Sequence, residues 1–471
     1  MAFQFLRQGT RAMLNFGRIP TRNCQGVSRR SLLQVGACSA LGLGLPHWLA
    51  GQARASRSAG RVKSVMLLWQ WGGCSHHETW DPKPDAPLKI RGPYRPIATS
   101  VPGTQISELM PLSASRAHRM TIIRSMAHDM KDHNQAGTVS LTGSTNGSRA
   151  SGGIPFPGRV RPSMGSLVSY LDRRSSHDWP AFTVIGRRCS VSGADLRGQT
   201  AGALGSAHDP FYLDGFDFDS GVPLPPSLEP IGDIGGTRLD NRRQLLGEFD
   251  DWQRRLEATE TVDRFGDLHQ KAFGLLTSSG AKRALLLDEE SEELRDRYGR
   301  TVFGQNCILG RRLVEAGVPF VQINWSGNAE DEQQGGDGGW DLHYRLFERM
   351  QDRYCPSFDR TFVALLDDLE ERGLLDSTLV LAMGEFGRSP AISSIGGREH
   401  WPFGYSIALA GGGTTGGAVI GQSTFDGGYP ADRPNHPVDL VTTILHLMGL
   451  DREELFVKDA SVLGAVIPEL V

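Results

Sequence analysis

Thirteen histidines are spread over 471 residues, and several fall with acids in short polar segments that follow apolar runs. The first segment reads WQWGGCSHHETWDPKPDAP (69–87) and holds His76, His77, Glu78 and Asp81. A second holds His128, Asp129, Asp132 and His133, and a third is Trp340-Asp341-Leu342-His343. A fourth is Gly384-Glu385-Phe386-Gly387-Arg388, continuing to Arg398-Glu399-His400-Trp401, and Asn435-His436 precedes the last helical pattern. Neutral imidazole and carboxylate are the ligands of Zn, Mn, Fe or Ca, and an arginine beside them suits a bound oxyanion. Such a set supports metal-assisted displacement at phosphorus or sulfur, with the cation polarising the ester and lowering the pKa of water. The expected metal ligands are His76, His77, Glu78, Asp81, Asp341, His343, Glu385 and His400. Arg388 is expected on the oxyanion, with His343, His400 or His436 in a catalytic role as general acid or base. Taken singly, each histidine reads first as a loop hydrogen-bonding residue; repetition at successive segments carries the joint reading.

The apolar runs that would position these groups are SVMLLW (64–69), MTIIRSM (120–126), AFTVIG (181–186), VPFVQINW (318–325), STLVLAM (377–383) and YSIALAGGG (405–413). Their hydrophobicity is continuous rather than alternating, which fits strands buried on both faces. Helical patterns lie between several of them, at 241–258, 304–316, 342–374 and 437–448. Strand–helix alternation of this kind predicts an α/β fold with a central, mostly parallel sheet flanked by helices, whose ligands bind at the carboxyl ends of the strands. Stretches 143–165 and 187–238, rich in Gly, Pro, Ser and Asp, read as loop insertions, and the charged segment 240–300 as a helical insertion.

Residues 1–55 are of another kind, with seven arginines and no Asp, Glu or Lys. Ser28-Arg29-Arg30-Ser31-Leu32-Leu33 is a twin-arginine pattern, followed by a weakly apolar run and the small-residue site Ala53-Arg54-Ala55. That order predicts an export signal over 1–55 and a mature domain over 56–471, with the twin-arginine translocase as partner and the periplasm or cell envelope as destination. The apolar run is broken by Gly42, Gly44 and Pro46, so no stable membrane span is expected after cleavage. Removing seven positive charges takes the formal net charge from −3 to −10, which argues against nucleic acid and anionic membrane surfaces as partners. Cys74, Cys189, Cys307 and Cys355 form no C-x-x-C pair, so a zinc ribbon is excluded.

Four motifs carry a family resemblance: GGCSHHETWDPKPDAP, GWDLH, GEFGRSPAI with GGREHWP, and HPVDLVTTILHLMGLD. Through them the chain resembles the alkaline phosphatase/sulfatase superfamily, and more closely a twin-arginine-exported, sulfatase-like domain of unknown function, over about residues 62–465. The resemblance implies an α/β sandwich of the alkaline-phosphatase/sulfatase kind, divalent metal at the strand ends, and a small-molecule or glycan sulfate or phosphate ester as substrate. GEFG (384–387) is similar in place to the sulfatase Ser-Asp-His-Gly motif, putting Glu385 where a metal-binding Asp stands and Phe386 where a histidine stands. Counting back from Leu141-Thr142-Gly143, the sulfatase nucleophile position falls on His133 and the following arginine position on Gly137, with no Cys or Ser to become formylglycine. Three roles remain open for that position: His133 as a ligand with metal-bound water attacking, His133 as a covalent nucleophile, or a site that binds such esters without catalysis.

Overall fold

The computed structural model describes residues 61–172, 179–191, 194–214, 283–325, 339–450, 455 and 464–471. The export signal at 1–55, the helix expected at 241–258, most of the 240–300 insertion and the glycine-rich loop after Trp325 lie outside the described residues.

Each of the six apolar runs forms a strand of one sheet. In chain order the strands of that sheet are β1 (Ser64–Gln70), β2 (Met120–Met126), β3 (Phe182–Ile185), β4 (Phe211–Leu213), β5 (Phe320–Trp325), β6 (Thr378–Met383), β7 (Tyr405–Gly411) and β8 (Val419–Ile420). They lie side by side in the order β8-β2-β7-β6-β1-β5-β3-β4. β1 pairs in parallel with β6 and β5, β5 with β3, and β3 with β4, while β7 runs antiparallel to both β6 and β2. The fold is therefore the α/β class expected, a mixed and mostly parallel sheet with helices on both faces.

β1 shows why the pattern is continuous. Its residues are all buried, and alternate side chains enter two different cores, as a period of two requires. Val65, Leu67 and Trp69 pack in one core with α2 (Met164–Leu171) and α5 (Pro437–Leu447). Met66 and Leu68 pack in the other with α3 (Val302–Glu315) and α4 (Cys355–Glu371). The helical pattern at 342–374 is realised from Leu346, with one π turn at Met350–Tyr354 before α4. Among the described residues no helix is long and apolar enough to cross a membrane.

One helix beside the site has no amphipathic signal. α1 (His133–Thr142) reads HNQAGTVSLT and buries every residue from Ala136 to Thr142. It starts because the Asp132 carboxylate accepts from the Asn134 N–H at the N-cap, and it stops at Gly143, whose φ of 70° is left-handed. Its small residues let it sit close: a Cβ on Gly137 would lie 2.9 Å from Leu196 and 3.0 Å from Trp71.

Candidate metal centre

Loops leaving the carboxyl ends of β1, β2, β5 and β6 meet at one edge of the sheet. Two glycines allow the contact. Gly72 has a φ of 107°, and a Cβ there would stand 2.2 Å from the Asp341 backbone nitrogen; a Cβ on Gly397 would stand 1.8 Å from the His343 carbonyl. Neither position tolerates a side chain without moving the loop that carries Asp341 and His343.

His133 opens α1 and points its Nε2 at Asp341 Oδ2, 3.0 Å away. His343 Nε2 is 3.1 Å from Asp341 Oδ1, and His400 Nε2 is 3.2 Å from the same oxygen. The Nε2 atoms of His343 and His400 are 2.9 Å apart. Ligand atoms of His133, Asp341 and His400 all lie within 4.8 Å of one another. The cluster is partly open, with side-chain exposures of 13% for His133 and 27% for His343.

The opposite ring nitrogens decide the tautomers. Each Nδ1 meets an obligate acceptor: Glu385 Oε1 at 2.7 Å for His133, Glu399 Oε2 at 3.0 Å for His343, and the Lys131 carbonyl at 2.8 Å for His400. Each Nδ1–H therefore donates outward, and in the neutral rings each Nε2 lone pair faces inward. Three lone pairs and a carboxylate converge with no proton among them, an arrangement stable only around bound protons or a cation. The donor set of imidazole and carboxylate is that of Zn, Mn or Fe, so His133, Asp341 and His400 fit a single divalent ion, with His343 beside Asp341 and His400.

Without a cation the charges follow the same logic. Burial opposes protonation of His133, but hydrogen bonds to Asp341 and Glu385 outweigh it and raise its pKa from 6.5 to about 9. The hydrogen bond to Asp341 raises His343, whereas burial and the neighbouring His133 lower His400. Burial alone would raise the Asp341 carboxyl; the Arg388 guanidinium and the three imidazoles hold it far below the usual carboxylate range.

Around the cluster, Glu385 accepts the Gly72 N–H at 2.9 Å as well as the His133 Nδ1–H, and is fully buried. Its carbonyl accepts from His128 Nε2 at 2.6 Å and Ser140 Oγ at 2.9 Å. Phe386 packs against His133 and His400, with ring centroids 5.0 and 4.6 Å away, and Trp71 against His133 at 5.4 Å. These apolar walls fix the planes of two imidazoles.

The structure redistributes the roles read from the sequence. Asp341, His343, His400 and His133 come together, with His133 turned toward Asp341 and His400. Glu385 orients His133 and does not face the common point. Arg388 is fully buried and has no surface for an oxyanion. Its N–H groups go to the carbonyls of Gly73 at 3.1 Å, Arg398 at 3.0 Å, Trp340 at 3.2 Å and Gly72, and to Asp341 Oδ1. His436 caps α5 in a capping box with Asp439, and its Nδ1 is held by the Ala127 carbonyl at 2.8 Å, apart from the cluster.

The four candidates of the opening motif also go elsewhere. Glu78 forms a two-pronged pair with buried Arg398, at 2.6 and 3.1 Å, and accepts from Ser75. Asp81 pairs with Lys83 at 3.0 Å and Arg124 at 3.4 Å and accepts from Ser423. His76 and His77 are buried, with ring centroids 4.2 Å apart, and donate from Nε2 to the carbonyls of Gly427 and Asp426 at 2.9 and 2.8 Å. The expectation that this motif supplies metal ligands is corrected: Gly72 and Gly73 turn the chain away, and its charges are spent on Arg398, Arg124 and the neighbouring Lys83. Glu399 was missed as a partner of His343; its place beside His400 in REHWP was the available signal.

The buried pair has a consequence in acid. Desolvation lowers His76 and His128 from 6.5 to about 4, and lowers His77 well below 6.5. The unfolded chain takes these protons near pH 6.5 and the folded chain does not, so their stability contribution is whole above 6.5 and falls as pH drops toward 4. Urea unfolding at about pH 4.5 is expected to show a loss of about 2–3 kcal/mol for each of His76 and His128 relative to pH 7, with a further loss from His77. The His76→Asn, His77→Asn double variant should lose less over the same interval; an equal loss would contradict the assignment.

A layered α/β protein with a histidine–carboxylate cluster at the carboxyl edge of its sheet is the class that fold and site define. The chain belongs to the family described as Protein of unknown function (DUF1501), whose model matches residues 62–462 and so spans every residue of the cluster. No curated protein matches the chain. Among solved structures it is similar to Ps i-CgsB in complex with k-i-k-neocarrahexaose, at 13% identity over 85% of this chain and 74% of that one, TM-score 0.37. It is similar to PsFucS1 sulfatase from Pseudoalteromonas sp., at 13% identity over 85% and 72%, TM-score 0.34. A third is the phosphonate monoester hydrolase of Agrobacterium radiobacter, at 12% identity over 86% and 77%, TM-score 0.33. Likenesses this remote carry no argument about the reaction.

Proposed function

We propose that the chain is a metal-dependent hydrolase of sulfate or phosphate esters, exported by the twin-arginine pathway to the periplasm or cell envelope. The observation that carries this reading is the convergence of three Nε2 lone pairs on the Asp341 carboxylate in a partly open site. A divalent cation held there would neutralise the ester and lower the pKa of water beside it.

The chain's own residues do the rest. Glu385, Glu399 and the Lys131 carbonyl keep the three imidazoles in the ligating tautomer. Arg388 braces Asp341 from behind, so the carboxylate stays ionised and fixed. Phe386 and Trp71 line the rear of the imidazoles, leaving the solvent side for substrate. Both nitrogens of His133 are engaged, which favours a ligand over a phosphohistidine nucleophile. Ser140, the hydroxyl in contact with Glu385, is buried and spends its proton on that carbonyl.

The test is hydrolysis of aryl sulfate and aryl phosphate by the full chain supplied with Zn, Mn, Fe or Ca. Turnover of one of them that stops with chelator is expected. No turnover with any metal would remove the hydrolase reading and leave a protein that binds such esters without cleaving them.

A further inference from the structure

The motif that supplies no metal ligand lines a polar pocket of its own. A cavity of about 440 Å³ opens between residues 81–83, the turn at 103–104 and the end of β8. The Asp81 side chain in its wall is 2% exposed, and those of Lys83 and Arg124 are 15% and 19% exposed. Asp81 is spent within the protein: Oδ1 meets the Lys83 ammonium at 3.0 Å and Arg124 Nε at 3.4 Å, and Oδ2 accepts from Ser423. Arg124 is clamped through Nε and Nη2, which donate to the carbonyls of Trp80 at 3.0 Å and Gln105 at 2.6 Å. Its Nη1, and two of the three Lys83 N–H groups, have no acceptor among the described residues. Pro82 and Pro84 fix the backbone on either side of Lys83, so the ammonium is placed with little freedom left to lose. The Asp81 N–H donates to the His76 carbonyl at 2.8 Å, which ties this segment to the buried histidine pair.

Two cations and one carboxylate leave a single positive charge in a wall that water reaches only in part. A cleft with that surplus favours an anion of single charge. The Asp432 carboxylate also lines the pocket, accepting the Gln422 N–H, and Arg433 is already paired with Glu469. A dianion would therefore set its second charge among acids, where repulsion opposes it. A metal ion would meet the Lys83 ammonium and the Arg124 guanidinium instead of free ligands. The volume falls within the range of about 300–1,000 Å³ usual for small-molecule sites, so the ligand has an organic body and is more than a bare ion.

We propose that Lys83 and Arg124 hold the carboxylate of a small organic monoanion in this pocket, which shares no residue with the metal cluster. Lys83 Nζ and Arg124 Nη1 donate to the carboxylate oxygens, Asp81 keeps both cations in place, and Ser423 keeps Asp81. The body of the acid lies toward Thr104 and Val419. The assignment stands apart from the ester-hydrolase reading. A free hydroxy acid and an acylated amino acid offer the same carboxylate, and the experiment tells them apart.

The test is isothermal titration calorimetry of the full chain in chelator, at constant ionic strength, with lactate, N-acetylalanine, malonate, sulfate and phosphate. Saturable binding of lactate or N-acetylalanine is expected, the tighter of the two naming the kind of acid, with the three dianions weaker than both. Lys83→Met is expected to weaken that binding about tenfold or more, as loss of one charge-assisted hydrogen bond implies. Thr104→Trp fills the cavity from an irregular turn without touching either cation, and should abolish binding while the unfolding midpoint stays near that of the unaltered chain. His343→Ala, altered at the metal cluster, should bind the acid as the unaltered chain does. No carboxylate binding, binding that survives both Lys83→Met and Thr104→Trp, binding lost in His343→Ala, or tighter binding of sulfate or phosphate would each overturn the assignment.

Discussion

His343→Ala is expected to abolish ester hydrolysis, by about 10³-fold or more, while leaving the fold intact. The imidazole is 27% exposed and reaches the cluster from a loop, so its removal opens no core cavity. What it removes is one of three inward Nε2 donors. It also leaves Asp341 and His400 without the neighbour that stands 2.9 Å from His400. Unfolding midpoints close to wild type, together with lost turnover, are the expected pair of results. Turnover within a few-fold of wild type would mean that the reaction does not run at this cluster.

Glu78→Gln is expected to do the reverse. Glu78 and Arg398 are 1% and 0% exposed as side chains, and their pair is made through two hydrogen bonds. Neutralising the acid leaves a buried guanidinium uncompensated, which costs about 3–5 kcal/mol when one partner of such a pair is removed. Arg398 keeps the carbonyls of Ser389 at 3.0 Å, Pro390 and Ile90 at 2.7 Å, and one amide oxygen in place of the carboxylate. Denaturant unfolding should show that loss, while metal per folded chain stays at the wild-type level. Unchanged stability with loss of metal would return Glu78 to the ligand set.

These two residues show what was legible in the sequence and what was not. Both sit in polar segments that follow buried strands, and both are rich in the right chemistry. Composition places them at the sheet edge but says nothing of the charge each meets there. Asp341 and His343 meet imidazoles from segments that also follow strands, so proximity to the strand end was enough. Glu78 meets an arginine 320 positions later in the chain, a contact that no local pattern announces. Arg388 was read as an oxyanion holder because it is a cation beside an acid; its complete burial, fixed by the Gly72 and Gly73 carbonyls, is a tertiary fact. The same limit appears in the fold. β1 and β6 were plain as continuous apolar runs, and α5 carried a helical period. The edge strand β8 has two residues, and α1 (HNQAGTVSLT) mixes polar and apolar residues all round, so periodicity had nothing to read. The helix that presents His133 and the short strand pair that carries Arg388 and His400 were thus elements of the site whose type the sequence concealed.

The central claim is that this edge of the sheet is a metal centre made by His133, Asp341 and His400, with His343 beside Asp341 and His400. Elemental analysis of the full chain, purified without a metal-affinity tag, tests it most directly. The account predicts about one equivalent of Zn, Mn or Fe per chain, as a single site implies, lost in His343→Ala and kept in Glu78→Gln. Less than about half an equivalent of any divalent metal, or the same content in His343→Ala as in the unaltered chain, would contradict it.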